Sequence, residues 1–512
     1  MSEGPAALLA RGALPGLRFL STPRARRIAF EAAFALGALT SAWPLFVARY
    51  VPIQDLPQHV AAVRVLHDFR TAAFGFERFF ELSLGSTQYL GVYVLAHLLA
   101  YVFDVVVATK LVLAASLVSL PYALRALLSA HQRPASYALL SLPLLYNTQV
   151  VLGFLNFSLG LPLMFWGLAL ASRFRALPER RLGGLFALVA TACFFAHVVP
   201  YGMLLVGSAA LAVSRDVRLT LRTLLPLLPS LGCALIWTAT SPAGQAFSAL
   251  SAGGALLAAG EPMVERARDV PFWLTDVLWS DEDELVLAGF GLLLSALAAA
   301  ALLRRQRPQG LWLRLGVLAP CCWFFYFLLP ASYQFIWPIN ARFAVLALLF
   351  LIPILPRVAE PLRALVALGA LGLGLFQTRA LATAFEACSQ REYAGLGEVV
   401  QRVPVGSRVV GLVYDPSSRW LRFSPYLHAV AWVQAERGGA VMFTFADFPA
   451  SPFRFREDNR PPRVPPRWEW LPHRVDTERD LGFYDYVLAR SAPSVAGFHV
   501  LERRGAWSLW SR

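Results

Sequence analysis

Long apolar runs separated by short polar breaks fill the chain up to about residue 378. Residues 182–213, 285–303 and 345–354 are examples. Because a helix needs about 20 apolar residues to cross the hydrocarbon core, this alternation predicts repeated membrane crossings. The predicted spans are 28–48, 108–127, 135–151, 154–172, 182–199, 200–214, 222–241, 284–303, 312–330, 342–356 and 360–378.

Composition agrees with that pattern. The 512 residues are 57% hydrophobic and 15% charged, with a mean hydropathy of +0.54, whereas a soluble domain carries about 25% charged residues. The surplus apolar side chains must therefore face lipid. The sequence predicts an α-helical polytopic membrane protein with about 11 transmembrane helices and additional juxtamembrane helices. Residues 379–512 are richer in Arg, Asp, Glu and Pro and predict a small soluble domain.

Positive charge gives the predicted orientation. The net charge is +14, and Lys110 is the single lysine, so the charge is carried almost entirely by arginine. Arginine clusters beside apolar spans mark the cytoplasmic side. They occur in the N-terminal segment and at 125–133, 173–181, 215–222, 304–307 and 357–363. Since no recognition motif accompanies the charge, nucleic acid is not an expected partner.

These clusters predict three regions. Residues 1–27 form a cytoplasmic stub, residues 28–378 form the transmembrane domain with a first external loop at 49–88, and residues 379–512 form an extracytoplasmic domain. Counting the apolar run 89–107 as a crossing would put the cluster at 173–181 outside, so this run fits a juxtamembrane or re-entrant helix. The bias toward Arg, Ala, Leu and Gly is typical of a bacterial gene, which predicts a multi-pass protein of the bacterial inner membrane.

The first external loop holds the most informative polar residues. It contains Pro52-Ile53-Gln54-Asp55-Leu56-Pro57-Gln58-His59, in which Asp55 and His59 lie four residues apart. With Pro57 in the first turn of a helix, both side chains can face one site. The carboxylate could act as a general base or bind a divalent cation. The alternative is that Asp55 caps the helix, which is a common use of aspartate.

Other polar residues sit at predicted outer ends of spans. Polar groups at membrane depth are costly unless they are hydrogen-bonded or line a wet cavity, so they are candidates for a pocket. The candidates are Tyr146, Asn147, Asn156, His197 and Gln334. The alternatives are helix capping, interfacial anchoring by Tyr146, and a purely structural hydrogen bond at His197.

Arg342 is the arginine that departs from the positive-inside pattern, because it begins a span at the predicted outer surface. A guanidinium there suits bidentate binding of a phosphate. The alternative is an arginine that extends its charge to the outer head groups.

Together these features resemble the GT-C class of integral membrane glycosyltransferases. The resemblance lies in the cytoplasmic stub, the single helix, the external loop that opens near Asp55, the many further spans and the external C-terminal domain. It implies a polyprenyl-phosphate-linked sugar as donor, with Asp55 as catalytic base, His59 beside it, and Arg342 on the donor phosphate. Several members carry paired acids in this loop, whereas Gln54 precedes Asp55 here, so metal-independent or weakly metal-dependent catalysis is expected.

The region after residue 393 predicts an α/β domain. Helices are expected at 396–403 and 425–436, and strands at 408–414, 440–445, 484–489 and 499–501. It carries no phosphate-binding glycine loop and no nucleophile elbow, so independent catalysis is not expected. His428, Asp447 and His473 are candidates to join the membrane site, although structural roles are commoner. The Arg/Pro/Trp-rich loop at 454–470 is expected to face acceptor or lipid.

The acidic run Asp281-Glu282-Asp283-Glu284 has two interpretations. Four consecutive acids could bind a cation, but negative charge at a helix N-terminus is the commoner reason for such a run.

Three functions follow from these residues. The first is hexosyl or pentosyl transfer from a polyprenyl-phosphate donor to a glycan, lipid or protein acceptor outside the cytoplasm. The second is a transporter or flippase for a lipid-linked saccharide, which inverted repeats and mid-membrane charges would favour. The third is a non-catalytic membrane assembly protein with a transferase fold.

Overall fold

The computed structural model describes residues 22–252, 262–306, 310, 314–333 and 336–512. Within these residues the chain is mainly helical. The helices are α1 (Pro23–Thr40), α2 (Leu56–His67), α3 (Phe76–Phe79), α4 (Gly91–Leu99), α5 (Val105–Ala130), α6 (Thr148–Val151), α7 (Leu155–Ala176), α8 (Arg180–Ala196), α9 (Val198–Ala212), α10 (Val217–Leu224), α11 (Leu228–Thr240), α12 (Pro242–Ala252), α13 (Met263–Arg268), α14 (Val270–Leu274), α15 (Glu282–Leu303), α16 (Leu318–Leu328), α17 (Arg342–Leu351), α18 (Glu360–Arg391), α19 (Leu396–Arg402) and α20 (Ala431–Arg437).

Five helical segments in the described residues are long and apolar enough to cross a membrane. They are Val105–Ala130, Leu155–Ala176, Val217–Thr240, Glu282–Leu303 and Glu360–Arg391. The other predicted spans correspond to shorter helices. The span predicted at 135–151, for example, is a ten-residue 3-10 helix (Ala135–Leu144) that contains Pro143, followed by α6. A polytopic helical protein is therefore confirmed, and the count of eleven crossings stays a prediction.

The helix α4 is too short to cross a membrane. Its nine residues rise about 13 Å at 1.5 Å per residue, less than half of the hydrocarbon thickness. Leu95 and Leu98 are exposed on its surface, and so are Tyr101 and Val102 just beyond it. This arrangement suits the juxtamembrane position predicted for the run 89–107.

The helix α18 links the two parts of the chain. It spans 32 residues from Glu360 to Arg391, so it continues beyond the boundary predicted at residue 378. Because one helix carries the chain from the apolar region into the C-terminal region, no flexible linker separates them there.

The C-terminal region is built on a five-stranded sheet of order β3-β2-β5-β7-β6. Its strands are β2 (Arg408–Val413), β3 (Ala440–Val441), β5 (Tyr486–Arg490), β6 (His499–Arg504) and β7 (Trp507–Ser511). β2 pairs in parallel with β3 and β5, whereas β7 pairs antiparallel with β5 and β6. The predicted α/β domain is present. Strand β7 was not predicted, and the helix expected at 425–436 begins only at Ala431.

A second, two-stranded sheet joins the first loop to the C-terminal domain. β1 (Phe80–Leu82) pairs antiparallel with β4 (Phe453–Phe455). Nearby, the Gln58 side-chain amide donates to the carbonyl of Phe443 and accepts from the backbone N–H of Phe445 at 3.0 Å. The first loop and the C-terminal domain are therefore in direct contact.

Candidate active site

The loop around Asp55 is held by a second segment of backbone. The N–H groups of Gln54 and Asp55 donate to the carbonyls of Val151 and Leu152, each at 3.1 Å. Gly153 follows with φ +90°, and a Cβ there would lie 2.8 Å from the Asp55 nitrogen. Glycine is therefore required for this close approach, because it tolerates positive φ and has no side chain.

Asp55 does not cap its helix through its side chain. It occupies the N-cap position of α2, with proline in the first turn as predicted, yet the carboxylate makes no capping hydrogen bond. Its Oδ1 atom is buried and lacks a hydrogen-bond partner among the described residues. The capping interpretation is therefore wrong for the side chain, and the carboxylate is available for chemistry.

A histidine of the C-terminal domain approaches this carboxylate. His428 Nε2 lies 3.6 Å from Asp55 Oδ1, and His428 Nδ1 lies 3.0 Å from Glu469 Oε2. Glu469 is fully buried, and its other oxygen accepts the backbone N–H of His428. The imidazole thus lies between two carboxylates that come from distant parts of the chain.

Burial and charge set the protonation of this group. Burial raises the pKa of Asp55 to about 6, although the nearby His428 cation opposes the rise. Burial also opposes the charge on His428, but the carboxylates of Glu469 and Asp55 outweigh it and raise the His428 pKa to about 9. Near neutral pH, therefore, Asp55 is mostly ionised and His428 is protonated.

His59 lies in the same cavity but has a different environment. Its Nδ1 is 3.0 Å from the hydroxyl of Tyr93, and its ring packs edge-on against Phe445. Burial lowers the pKa of His59 to about 4, so the ring is neutral at physiological pH. A neutral ring bonded to a phenol suits positioning of the pocket wall better than proton transfer.

Arg342 is a buried cation without a counter-ion in the described part of the chain. It begins α17, is 7% exposed, and its guanidinium lies 5.1 Å from the centre of the Phe154 ring. Its Nε has no hydrogen-bond partner, and no described carboxylate lies within ion-pair distance. Because an unpaired buried charge is costly, this arrangement favours an anionic ligand.

Two further predicted residues reach the cavity. His197 ends α8 and caps α9, since its Nδ1 accepts the Val199 N–H at 3.1 Å. Its ring packs between those of Tyr89 and Phe157. Asn156 also lines the cavity, and its side-chain oxygen has no partner among the described residues.

Tyr146 and Asn147 lie elsewhere. The Tyr146 hydroxyl donates to the carbonyl of Ser41 at 2.7 Å. The Asn147 side chain caps α6 by accepting the Gln149 N–H at 3.1 Å. Neither lines the cavity, so the predicted pocket role is corrected to a buried hydrogen bond for Tyr146 and a helix cap for Asn147. Gln334 lies outside the described residues.

One cavity of about 560 Å³ brings the site together. Asp55, His59, Asn156, His197, Arg342 and His428 all line it. Its apolar wall includes Trp237, Phe247 and Trp337. The C-terminal domain contributes Leu427, His428, Phe445, Phe448, Ala450, Ser451, Pro466 and Trp470. The cavity is thus shared between the membrane part and the C-terminal domain.

The acidic run at 281–284 belongs to a helix start. Asp283 Oδ2 accepts the backbone N–H groups of Val277 and Leu278, and Glu284 pairs with Arg422. Within the described ranges, no group of three His, Cys, Asp or Glu residues has the arrangement of a metal site.

The overall fold matches that of a solved membrane protein, and this match agrees with the GT-C resemblance that the sequence indicated.

The chain is similar to ArnT from Cupriavidus metallidurans, whose crystal structure was determined bound to undecaprenyl phosphate. The TM-score is 0.57, the sequences are 12% identical, and the match covers 96% of this chain and 98% of that one. No protein-family model and no curated protein sequence matches the chain.

Glu469 is the site residue that sequence reasoning missed. It is one of three acids, with Glu457 and Asp458, in the Arg/Pro/Trp-rich loop at 454–470, which was expected to face acceptor or lipid. Pro466 and Trp470 of this loop do line the cavity, but Glu469 is buried behind His428. Nothing in the local pattern distinguishes it, because its partner is distant in the sequence.

Proposed function

We propose that the protein is a glycosyltransferase that moves a hexosyl or pentosyl group from a polyprenyl-phosphate-linked donor to an acceptor outside the cytoplasm. The observation that carries this proposal is that Asp55 and the unpaired Arg342 line one cavity in a chain with the fold of ArnT. A base and a phosphate-binding cation are the two groups that such a transfer requires.

In the proposed reaction, an acceptor hydroxyl attacks the anomeric carbon of the donor sugar. The new bond forms from the acceptor oxygen, and the bond between the anomeric carbon and the phosphate oxygen breaks. The electron pair leaves with the polyprenyl phosphate, whose charge Arg342 stabilises. The hydroxyl proton passes to Asp55, which is ionised near neutral pH and within the cavity.

The cavity lining supports a lipid-linked donor. Trp237, Phe247 and Trp337 are apolar groups of the same cavity as Arg342. A phosphate on Arg342 would place the first isoprene units of the lipid beside such groups, where apolar contact is favourable. Tyr89, whose ring packs on His197, adds a polar hydroxyl to the same cavity.

The orientation is part of the proposal. The arginine pattern supports an N-terminus in the cytoplasm and a C-terminal domain outside, in the bacterial inner membrane. With that orientation the cavity opens on the side where polyprenyl-phosphate-linked sugars are used on glycan, lipid or protein acceptors.

The test is turnover of polyprenyl-phosphate-linked sugars by the purified full-length protein. Wild type is compared with Asp55→Asn, and a His473→Asn variant, altered at an exposed residue of the C-terminal domain that does not line the cavity, serves as the control. Loss of turnover in Asp55→Asn alone, with an unchanged unfolding temperature, supports the transferase and its base. Turnover that survives in Asp55→Asn rules out that base, and no turnover with any donor favours transport or assembly.

A further inference from the structure

A chain of three ionisable side chains crosses the boundary between the first loop and the C-terminal domain. Asp55, His428 and Glu469 follow one another at 3.6 Å and 3.0 Å. We propose that His428 is a positioning residue that keeps the Asp55 carboxylate ionised and held beside the cavity, with Glu469 fixing the imidazolium. This inference rests on the proposed role of Asp55 as the base.

Glu469 has the contacts of an anchor. One of its oxygens accepts the backbone N–H of His428, and the other lies beside the ring of the same residue. The carboxylate is fully buried, and no described arginine or lysine lies within ion-pair distance of it. A buried carboxylate needs a nearby cation to offset its loss of hydration, and His428 is the group placed to supply it.

The backbone at His428 is also held in a special conformation. Its φ is +67°, in the left-handed region that residues other than glycine seldom adopt. Such a conformation persists where the surrounding contacts enforce it. Here the contact is the backbone hydrogen bond to Glu469, and the imidazole of the residue so held lies 3.6 Å from Asp55.

The titratable groups near Asp55, His428 and Glu469 have known charge states in the relevant pH range. Asp55 and Glu469 face His428, and Tyr93 and His59 lie near Asp55. Burial raises the pKa of Tyr93 above its usual value and lowers that of His59 to about 4, so both stay neutral between pH 5 and 9. The His428 cation is therefore the charged group that opposes protonation of Asp55, and a hydrogen bond from the Gln54 side chain lowers the Asp55 pKa in the same direction.

The test measures ionisation of Asp55 directly, without requiring turnover. Infrared difference spectra of the purified full-length protein are recorded across the pH range, and the Asp55 band is assigned by its loss in Asp55→Asn. His428→Asn is the main variant, because asparagine tolerates positive φ better than most residues. His473→Asn is the matched control. Donor turnover is measured on the same samples.

In His428→Asn, the midpoint of Asp55 ionisation should move to higher pH by about one unit, a tenfold change in the equilibrium. The rise of turnover with pH should shift to higher pH by the same amount, and turnover should recover at high pH. A merely structural defect would not give this recovery. An unchanged midpoint in a folded His428→Asn protein would overturn the proposal. Because the midpoint is read from the spectrum, a failure of the transferase assay alone leaves this result interpretable.

Glu469→Gln gives a second, sign-sensitive test. In the His428→Asn background it should shift Asp55 ionisation back toward lower pH, because it then removes only the repulsion between two carboxylates. In the wild-type background it should lower the pH at which the His428 ring loses its proton, measured by nitrogen NMR of labelled histidine. A Glu469→Gln protein with an unchanged His428 titration would exclude the anchoring role.

Discussion

At the residue scale, the cavity has few charged side chains in its described lining. Asp55, His428 and Arg342 are the described lining residues that carry charge near neutral pH. Each lies in surroundings that change its behaviour: Asp55 is buried beside a cation, His428 lies between carboxylates, and Arg342 packs on an aromatic ring without a counter-ion. Individual substitutions should therefore give separable effects.

The pH profile tests the ionisation of Asp55. With a pKa of about 6, roughly a tenth of the carboxylate is ionised at pH 5 and roughly nine tenths at pH 7. Turnover per enzyme should therefore rise about tenfold between these pH values if Asp55 is the base. Above pH 9 the His428 ring loses its proton, so turnover should change a second time. A rate that is flat from pH 5 to 7 would contradict the assignment of the base.

Substitution of Arg342 tests the phosphate site. Arg342→Gln should raise the donor KM by about 10- to 100-fold, since a hydrogen bond to a charged group contributes about 1.5–3 kcal/mol. Arg266→Gln is the contrast, because Arg266 is equally buried but donates to the backbone carbonyls of Phe327 and Leu329 at the end of α16. That variant should lower the unfolding temperature and leave the donor KM near the wild-type value. Equal KM effects in both variants would argue against a phosphate role for Arg342.

At the element scale, the position of Asp55 is fixed by the turn between α6 and α7. Two backbone hydrogen bonds and the glycine at 153 bring this turn against the start of α2. The same turn leads into Phe154 and Asn156, which line the cavity. One short segment therefore positions Asp55 and also supplies part of the cavity wall.

Gly153→Ala tests that arrangement. The added Cβ would meet the backbone of Asp55 at a residue with φ +90°, so the free energy of unfolding should fall by more than about 1 kcal/mol. The rate constant for transfer should fall as well, because Asp55 is displaced. Gly184→Ala in α8 is the control, since a Cβ there meets nothing within 4 Å and alanine favours a helix. The prediction is checked by comparing thermal unfolding and kcat of the two variants with those of the wild type.

Sequence patterns predicted the elements whose cause is local. The apolar runs gave the long helices α5, α7 and α15, and the β-branched run at 408–414 gave β2. The distribution of arginines alone indicated that the run containing the nine-residue α4 is not a membrane crossing. Strand β7 was missed because its burial depends on pairing with β5 and β6. Likewise, the sequence identifies Asp55 beside Pro57 as a candidate site residue. Its contact with His428 could not be predicted, because that contact depends on how distant segments pack.

At the scale of the whole molecule, the first loop and the C-terminal domain are joined into one wall of the cavity. The β1–β4 pair, the Gln58 contacts and the bond from Arg49 to Glu436 at 2.8 Å all cross this boundary. The cavity should therefore keep its shape only while the domain stays docked.

A designed disulfide tests the docking. Glu81 and Arg454 are direct partners in the β1–β4 pair, and both side chains are exposed. Neighbouring strands bring such residues to about 5 Å between Cα atoms, within the range of a disulfide. Glu81→Cys with Arg454→Cys should cross-link on oxidation and retain turnover. Glu81→Cys with Glu457→Cys, about three residues out of register, should not cross-link; equal yields would contradict the strand register.

The Asp55–His428–Glu469 contact also determines how late in synthesis the candidate site can form. Its first member emerges early in synthesis and its last member more than 400 residues later, a delay of tens of seconds at about 5–20 residues per second. During that interval the nascent chain holds a buried-site aspartate without its imidazolium partner. The site therefore cannot assemble before residue 469 has been made, and a chain truncated before that residue lacks the carboxylate that completes the contact.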